Sequence, residues 1–334
     1  MKGFDLMAHV TLKDIAKSLE ISVSTVSRAL NNKGDIDPKT KKKIKNKARE
    51  LGYFPNTAAK ALKGKNSLLL GVIIDDNANP FYAEVLKGME KAARKKGFHL
   101  ILVNTAGRLE EQRFAVDFLQ SRGVDGILLA PVRDNHPEDL DNFTVPFVIV
   151  GRHFDKADLL EIYNDDETGG YIATKRLLEN GRRKLLHICS RLNIFPSRAR
   201  LNGFKKALKD HNTEGTGEVI EISNGPEQVS NKLRDFLARN SEVEGIFAFN
   251  DLYAMEALKV INDVGMRVPE DIAIIGYDDI PYAKYTSPML TTISLNEIWI
   301  GEKSIELLLK SIEHKTIRKK RYMQTPVLNI RDSG

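Results

Sequence analysis

The chain has 334 residues, of which 42% are hydrophobic and 29% charged, and its formal net charge is +6. That length and apolar content predict two or three domains with sizeable cores. Cys189 is the single cysteine, which excludes an intrachain disulfide and a zinc site built from paired cysteines. No apolar run reaches the length of a membrane span or of a signal peptide, so we expect a soluble cytoplasmic protein.

Positive charge is concentrated at the N-terminal end of the chain. Residues 1–65 contain 15 Lys and Arg against 6 Asp and Glu, so the remaining residues together carry a small net negative charge. A basic segment on an otherwise slightly acidic chain is typical of a domain that binds a polyanion. The sequence therefore indicates a nucleic-acid partner for this segment alone.

Three short amphipathic helices are predicted within the basic segment. Thr11 and Ser22 are the predicted N-caps of the first two, and Asp37 followed by Pro38 opens the third, which ends at Gly52. Apolar residues recur at helical spacing along them: Leu12, Ile15, Ala16 and Leu19, then Val23, Val26 and Leu30, then Ile44, Ala48 and Leu51. Two short helices joined by a tight break form a helix-turn-helix, and the third closes its core.

The second helix is the predicted reader of DNA. An α-helix fits the major groove, and the short side chains of residues 22–25 near its start suit contact with base edges and phosphates. Arg28, one turn further, is suited to reading guanine. The lysines of the third helix suit phosphate neutralisation, although a charge run alone is equally typical of a solvated face.

The segments VTLKDIAKSLEISVSTVSRALN and TKKKIKNKARELGYFPNTAAKALK resemble the head and hinge of the lactose-repressor (LacI/GalR) family of bacterial transcription regulators. The resemblance implies that Val23, Ser24 and Arg28 read the major groove. It implies backbone contacts from five further residues: Ser22, Thr25, Asn31, Tyr53 and Asn56. Because the motif starts at Val10, Met7 is an alternative start to Met1.

The same resemblance implies a hinge that meets DNA through the A-x-x-L pattern of Ala59 and Leu62. In the family the residue matching Leu62 is inserted between base steps of the minor groove, which kinks the duplex. Residues 57–63 are too few for a stable isolated helix, so we expect them to fold only on DNA. Without the preceding YFPN, Leu62 would be read as an ordinary linker residue.

Beyond a linker at residues 64–67, short apolar runs alternate with amphipathic helices, which predicts α/β lobes with parallel sheets. The predicted strands are 68–74, 98–103, 124–130, 146–150, 185–189, 219–222, 245–249 and 272–276. The predicted helices start at Asn79-Pro80 and then span 110–120, 137–143, 167–180, 198–211, 227–239 and 252–264. As in the periplasmic-binding-protein-like fold that this region resembles, we expect a helix at 298–313 and a strand at 322–328 to return to the first lobe.

The predicted domains are a helix-turn-helix head at 1–56, a hinge and linker at 57–66, and an effector-binding and dimerisation core at 67–330. Within the core, the N-lobe comprises about 67–164 and 296–328, and the C-lobe about 165–295. Ligands of open α/β sheets bind beyond the carboxyl ends of the strands, which in two facing lobes meet at a cleft. The polar residues just past the strands are the candidates: Asp75, Asp76, Arg152, Asp165, Asn250, Asp251, Asp278 and Asp279.

The family resemblance continues through NPFYAEVLKGME, DETGGYIATKRLLENG, RLNGF, FAFND and IIGYDDIPYAKYTSPMLTTI. It implies that four residues lie closest to the effector, Phe81, Arg200, Asn250 and Asp278, with Tyr82, Arg152 and Asp165 nearby. Arg198 competes with Arg200 for its role, and the three nearby residues are equally explained as lobe-packing or structural groups. Carboxylates that accept hydroxyls and rings that pack on a sugar face suit a polyhydroxylated ligand.

The sequence contains none of the nucleophile-elbow, phosphate-loop or zinc-protease motifs, and adjacent strand-end carboxylates such as Asp75 and Asp76 bind or cap more often than they catalyse. We therefore expect a non-enzyme without cofactor or metal. The predicted function is a dimeric cytoplasmic repressor that binds a palindromic operator under control of a sugar or sugar derivative, with a purine as the alternative effector. The alternative function is a cytoplasmic carbohydrate-binding protein without operator binding.

Dimerisation is expected because a two-fold protein reads a palindrome with two heads. The C-terminal end lacks a heptad segment of the kind that builds tetramers, so we expect a dimer and no larger assembly.

Overall fold

The computed structural model describes residues 10–31, 36–53, 67–132, 136–154, 159–223 and 225–334. Contacts within the chain divide it into two compact units, residues 1–67 and 68–334. The predicted hinge at 57–66, with Asn56, Ala59 and Leu62, lies outside the described residues.

The first unit contains the three predicted helices, α1 (Leu12–Leu19), α2 (Val23–Leu30) and α3 (Pro38–Glu50). Their starts are fixed by local side chains. The Ser22 hydroxyl accepts the Thr25 N–H at 3.1 Å and the Asp37 carboxylate accepts the Thr40 N–H at 2.9 Å, as expected of N-caps. The three helices enclose a small core of six buried residues: Ile15, Ala16, Val26, Ala29, Ile44 and Ala48.

The second unit consists of two six-stranded sheets covered by helices, which confirms the predicted α/β class. The strands are β1 (Leu69–Ile74), β2 (His99–Asn104), β3 (Gly126–Leu129), β4 (Phe147–Val150), β5 (Glu161–Asn164), β6 (Leu185–Ser190), β7 (Gly217–Ile222), β8 (Gly245–Ala248), β9 (Ala273–Asp278), β10 (Thr291–Ser294), β11 (Arg321–Gln324) and β12 (Val327–Asn329). The helices are α4 (Pro80–Lys95), α5 (Leu109–Ser121), α6 (Asp166–Glu179), α7 (Phe195–Asp210), α8 (Glu227–Leu237), α9 (Asp251–Asp263) and α10 (Glu297–Ile312).

The first sheet has the order β11-β5-β4-β3-β1-β2 and is parallel throughout, whereas the second has the order β12-β10-β9-β8-β6-β7 with β12 antiparallel to β10. Helices on both faces explain the continuous apolar strands, since neither face meets water. In β1, for example, Leu70 to Ile74 are all buried. None of the helices among the described residues is long and apolar enough to cross a bilayer.

The prediction of one strand at 322–328 is wrong. β11 joins β5 in the first sheet and β12 joins β10 in the second. Val327 and Leu328 therefore belong to the C-lobe and not to the predicted N-lobe. Pro326 stands between the two strands and has no N–H for a ladder, which ends the first pairing. The C-lobe also extends past residue 330, because Ser333 is buried and its hydroxyl donates to the Ile274 carbonyl at 2.7 Å.

Three further elements differ from the sequence prediction. The predicted helix at 137–143 is a single 3₁₀ turn, Pro137–Leu140. Strands β5 and β10 were not predicted, because their polar residues break the apolar pattern. Glu161 of β5 is fully buried, with its carboxylate 2.8 Å from His153 Nδ1 and accepting the Phe154 N–H at 3.0 Å.

The chain passes between the two lobes three times, after β5, after β10 and after β11. Each crossing is only a few residues long, so the carboxyl ends of β5 and β10 lie beside the space between the lobes. This geometry brings strand ends from both sheets to one cleft, as expected for ligand sites of α/β proteins.

Candidate functional site

The N-terminal half of α2 presents its side chains to solvent. Ser22, Val23, Ser24 and Arg28 are exposed and Thr25 is half-buried, while Val26 and Ala29 of the same helix are buried in the head core. Val23 is 40% exposed and is not one of the buried residues of the head core. The exposed side chains of this face are short or basic, which suits contact with base edges.

Asn31 and Tyr53 have structural partners within the head. The Asn31 side chain donates to the Ser27 carbonyl at 2.8 Å at the end of α2. Tyr53 is half-buried against the head core, and burial raises the pKa of its hydroxyl. Their contact with a DNA backbone stays a prediction.

The cleft between the lobes holds a cavity of about 550 Å³. Six of the seven residues predicted for the effector site line it: Phe81, Tyr82, Arg152, Arg200, Asn250 and Asp278. Asp165 is the seventh and does not line the cavity. It is the N-cap of α6, where its carboxylate accepts the Thr168 N–H at 3.1 Å and the Thr168 hydroxyl at 2.8 Å.

Arg200 lies at the centre of the C-lobe side of the cavity and is only 5% exposed. Its Nε donates to the Asp166 carboxylate at 2.9 Å, and its Nη2 lies 3.7 Å from the Asp278 carboxylate. The guanidinium carbon stands 3.5 Å from the centre of the Tyr277 ring, a cation–π contact. This arrangement fixes the guanidinium plane beside the cavity.

Arg198, the competing candidate, does not line the cavity, and its side chain reaches the Leu192 carbonyl at 3.3 Å. The geometry therefore favours Arg200.

Asp278 ends β9 beside Arg200 and is 7% exposed. Burial raises the pKa of its carboxyl to about 7, while the charge of Arg200 opposes that rise. Asn250 is the N-cap of α9, and its side-chain oxygen accepts the Tyr253 N–H at 3.0 Å. Its amide nitrogen is the group suited to donate to a ligand.

The N-lobe side of the cavity is aromatic and charged. Phe81 and Tyr82 at the start of α4 are in edge-to-face contact with ring centroids 5.3 Å apart. Burial raises the pKa of the Tyr82 hydroxyl, so it stays a neutral donor and acceptor. Arg152 donates to the Val132 carbonyl, and its guanidinium lies 5.0 Å from the Phe154 ring centre.

Of the other strand-end candidates, Asp75 and Asp76 line the cavity and Asp251 and Asp279 do not. Asp251 is fully buried and accepts the Ile280 N–H at 2.8 Å. Asp279 pairs with Arg331 at 2.6 Å. The lining residues that sequence reasoning missed include Asn164, Arg191, Phe195, Glu227, Phe249 and Tyr253. Each of them lies at the end of a strand, in the loop after a strand or in the first turn of the next helix, and that position was the available signal.

Family models match nearly the whole chain. Residues 67–332 match the model described as periplasmic binding proteins and sugar binding domain of LacI family, and residues 11–56 match bacterial regulatory proteins, lacI family. The chain belongs to the LacI family. Its LacI-type head and core coincide with the two compact units of the structure.

Relatives within the LacI family match from end to end. The HTH-type transcriptional repressor PurR of Aliivibrio salmonicida is 32% identical over 97% of this chain and 98% of that protein. The ribose operon repressor of Halalkalibacterium halodurans is 30% identical over 97% of this chain and 96% of its own length. The structure of the transcriptional regulator CelR with cellobiose is similar at a TM-score of 0.73 and 28% identity, over 98% of this chain and 100% of CelR.

Proposed function

We propose that the protein is a homodimeric bacterial repressor, a cytoplasmic non-enzyme, whose head reads a palindromic operator and whose cleft binds a sugar or sugar derivative that controls operator affinity. The observation that carries the proposal is the pairing of two sites on one LacI-family chain. One is the exposed N-terminal face of α2, and the other is the cavity around Arg200 and Asp278. Two copies are needed because one head contacts only a few base pairs.

A sugar is supported by the chemistry of the cavity wall. Carboxylates of Asp75, Asp76 and Asp278 accept bonds from hydroxyl groups, and a ring such as that of Phe81 packs against the apolar face of a sugar. One relative is named the ribose operon repressor, and the similar structure of CelR is a complex with cellobiose. A purine is the second candidate, because the several relatives named PurR are as similar to this chain as the sugar regulators.

Control is expected to act through the relative angle of the lobes. A ligand that contacts both walls of the cleft favours one lobe angle, and it shifts operator affinity only by its differential affinity for the two states. Crystal structures of the free and liganded protein test this step. One common lobe angle, together with one common DNA affinity, would contradict it.

The operator and the effector are identified together by selecting the full-length protein on random duplex DNA, with and without D-ribose, cellobiose, sugar phosphates and purines. We expect a palindrome whose enrichment changes with one compound. The Arg28→Ala variant is the control, because it keeps the fold while losing a predicted base contact. A folded protein without sequence preference under every condition would favour the carbohydrate-binding alternative.

A further inference from the structure

The turn after β9 has an unusual backbone. Asp278 has a φ of 101° and Asp279 a φ of 50°, both in the left-handed region that glycine favours. Two consecutive non-glycine residues in this region persist only where the surroundings hold them. Asp278 is the carboxylate at the cavity, so whatever holds this turn also sets the geometry of the cleft.

Part of that support comes from inside the C-lobe. The Asp279 N–H donates to the Thr292 hydroxyl at 3.3 Å, and that hydroxyl donates to the Asp251 carboxylate at 2.5 Å. The same carboxylate accepts the Ile280 N–H at 2.8 Å. These bonds hold the backbone that follows Asp278.

The remaining support comes from the C-terminal segment. Arg331 donates from Nη2 to the Asp279 carboxylate at 2.6 Å and from Nη1 to the Leu290 carbonyl at 2.7 Å. Asn329 donates to the second oxygen of Asp279 at 2.5 Å. The side chains of Arg331 and Asp279 are only 20% and 18% exposed, so this pair is better shielded from solvent than an ordinary surface pair.

We infer that Arg331 and Asn329 are positioning residues of the effector cleft, because by holding Asp279 they maintain the turn that places the Asp278 carboxylate at the cavity. The inference rests on the proposed role of the cleft in binding the effector. Asp278 and Asp279 are adjacent carboxyl side chains, and both oxygens of Asp279 are engaged by the C-terminal segment. Of these two neighbours, Asp278 is the one whose carboxyl faces Arg200, which also binds Asp166.

The competing explanation is that Arg331 merely anchors the end of the chain. The two explanations predict different effects on Asp278. Its carboxyl is buried, and the titratable groups near it are Arg200, Asp166, Glu297 and Tyr82. If the C-terminal segment positions the turn, its loss exposes Asp278 to water, and the pKa of Asp278 falls from about 7 toward its ordinary value. A purely anchoring residue leaves that pKa unchanged.

The test is a pH titration of the ligand-free full-length protein labelled with γ-¹³C aspartate, followed by NMR. The Asp278 signal is assigned by its loss in Asp278→Asn. In Arg331→Ala and in Asn329→Ala we expect the Asp278 midpoint to fall by at least about one pH unit. Arg331→Lys, which keeps a charge beside Asp279, should restore most of the wild-type midpoint.

The matched control is Arg267→Ala, which removes an exposed Arg–Asp271 pair with bonds of 2.9 and 2.7 Å elsewhere on the C-lobe. It should leave the Asp278 midpoint unchanged. An unchanged midpoint in Arg331→Ala overturns the inference, and Asn329→Ala decides it if Arg331→Ala does not fold. This titration uses no sugar, so it does not depend on the effector proposal. If that proposal fails, the variants still titrate as expected, but no compound changes the operator binding of the wild-type protein.

Discussion

The head and the core present their functional groups in opposite ways. In the head, the residues predicted to read DNA lie within one helix, α2, and its neighbouring caps. In the core, the cavity is lined by residues far apart in sequence, such as Phe81, Arg200 and Asp278, which meet only because strand ends from two sheets converge. The head thus depends on local signals and a small core, whereas the cleft depends on long-range packing.

The largest expected effect follows from the size of the head core. Ile44 is fully buried and is one of the six buried residues in the described part of the head core, so Ile44→Ala should destabilise the head by about 2–5 kcal/mol. We expect loss of operator binding with sugar binding retained, measured by fluorescence anisotropy and calorimetry. Asn46→Ala, an exposed change on the same helix, is the control. Equal loss of sugar binding in Ile44→Ala would show that the two units are not independent.

The next effect concerns the cleft. Asp278→Asn should weaken binding of the effector sugar by about 1.5–3 kcal/mol, because a charged hydrogen-bond acceptor is lost, and should leave sugar-free operator affinity unchanged. Asp165→Asn is the matched control, since asparagine is also a good N-cap and Asp165 lies off the cavity. Equal losses in the two variants, measured by isothermal titration calorimetry, would contradict the assignment.

Arg28→Ala tests the reading helix. We expect it to cost about 1–3 kcal/mol of operator affinity and to relax specificity at one operator position. Lys42→Ala, an exposed change on α3, should instead weaken binding to all duplexes alike. The measurement is anisotropy on duplexes mutated one position at a time. A uniform loss in Arg28→Ala would show that Arg28 contacts phosphate and not a base.

A smaller effect is expected with pH. Because burial raises the pKa of Asp278 to about 7, its protonated form stabilises the folded core, and this contribution is lost as pH rises from about 4 through 7.

The ionised carboxylate is the better acceptor for sugar hydroxyls, so sugar affinity should rise on the order of three- to tenfold between pH 6 and 8. Glu297, whose pKa burial raises to about 8, and Asp166 also face this site. Asp278→Asn should therefore flatten the profile of sugar affinity, and an unchanged profile would assign the titration to those neighbours.

Local signals explain what could be predicted from the sequence. The N-caps Ser22 and Asp37, together with the helical spacing of apolar residues, predicted the helices of the head. Continuous apolar runs predicted the strands that are buried on both faces. Strands β5 and β10 were missed because their polar residues find partners elsewhere in the chain. Buried Thr292, for example, is bonded to Asp251.

The cleft could be predicted in kind but not in detail. Strand ends supplied five lining residues and the family resemblance three more, yet the sequence could not distinguish Asn164, which lines the cavity, from Asp165, which caps a helix. Successive side chains of an extended chain point in opposite directions, so a shift of one position along the chain decides whether a side chain faces the cavity. Pro326 marks where the first pairing ends, but the sheet that β12 then joins, and with it the contact of Arg331 with Asp279, depends on tertiary structure.

The most direct test of two coupled sites is to measure their coupling in both directions on the wild-type protein. Operator affinity is measured with and without the effector sugar, and sugar affinity with and without operator DNA. Linkage requires that both ratios be the same, and the account predicts that they differ from one, typically by about 5- to 150-fold. Tight binding of both ligands with ratios of one would contradict control of the head by the cleft.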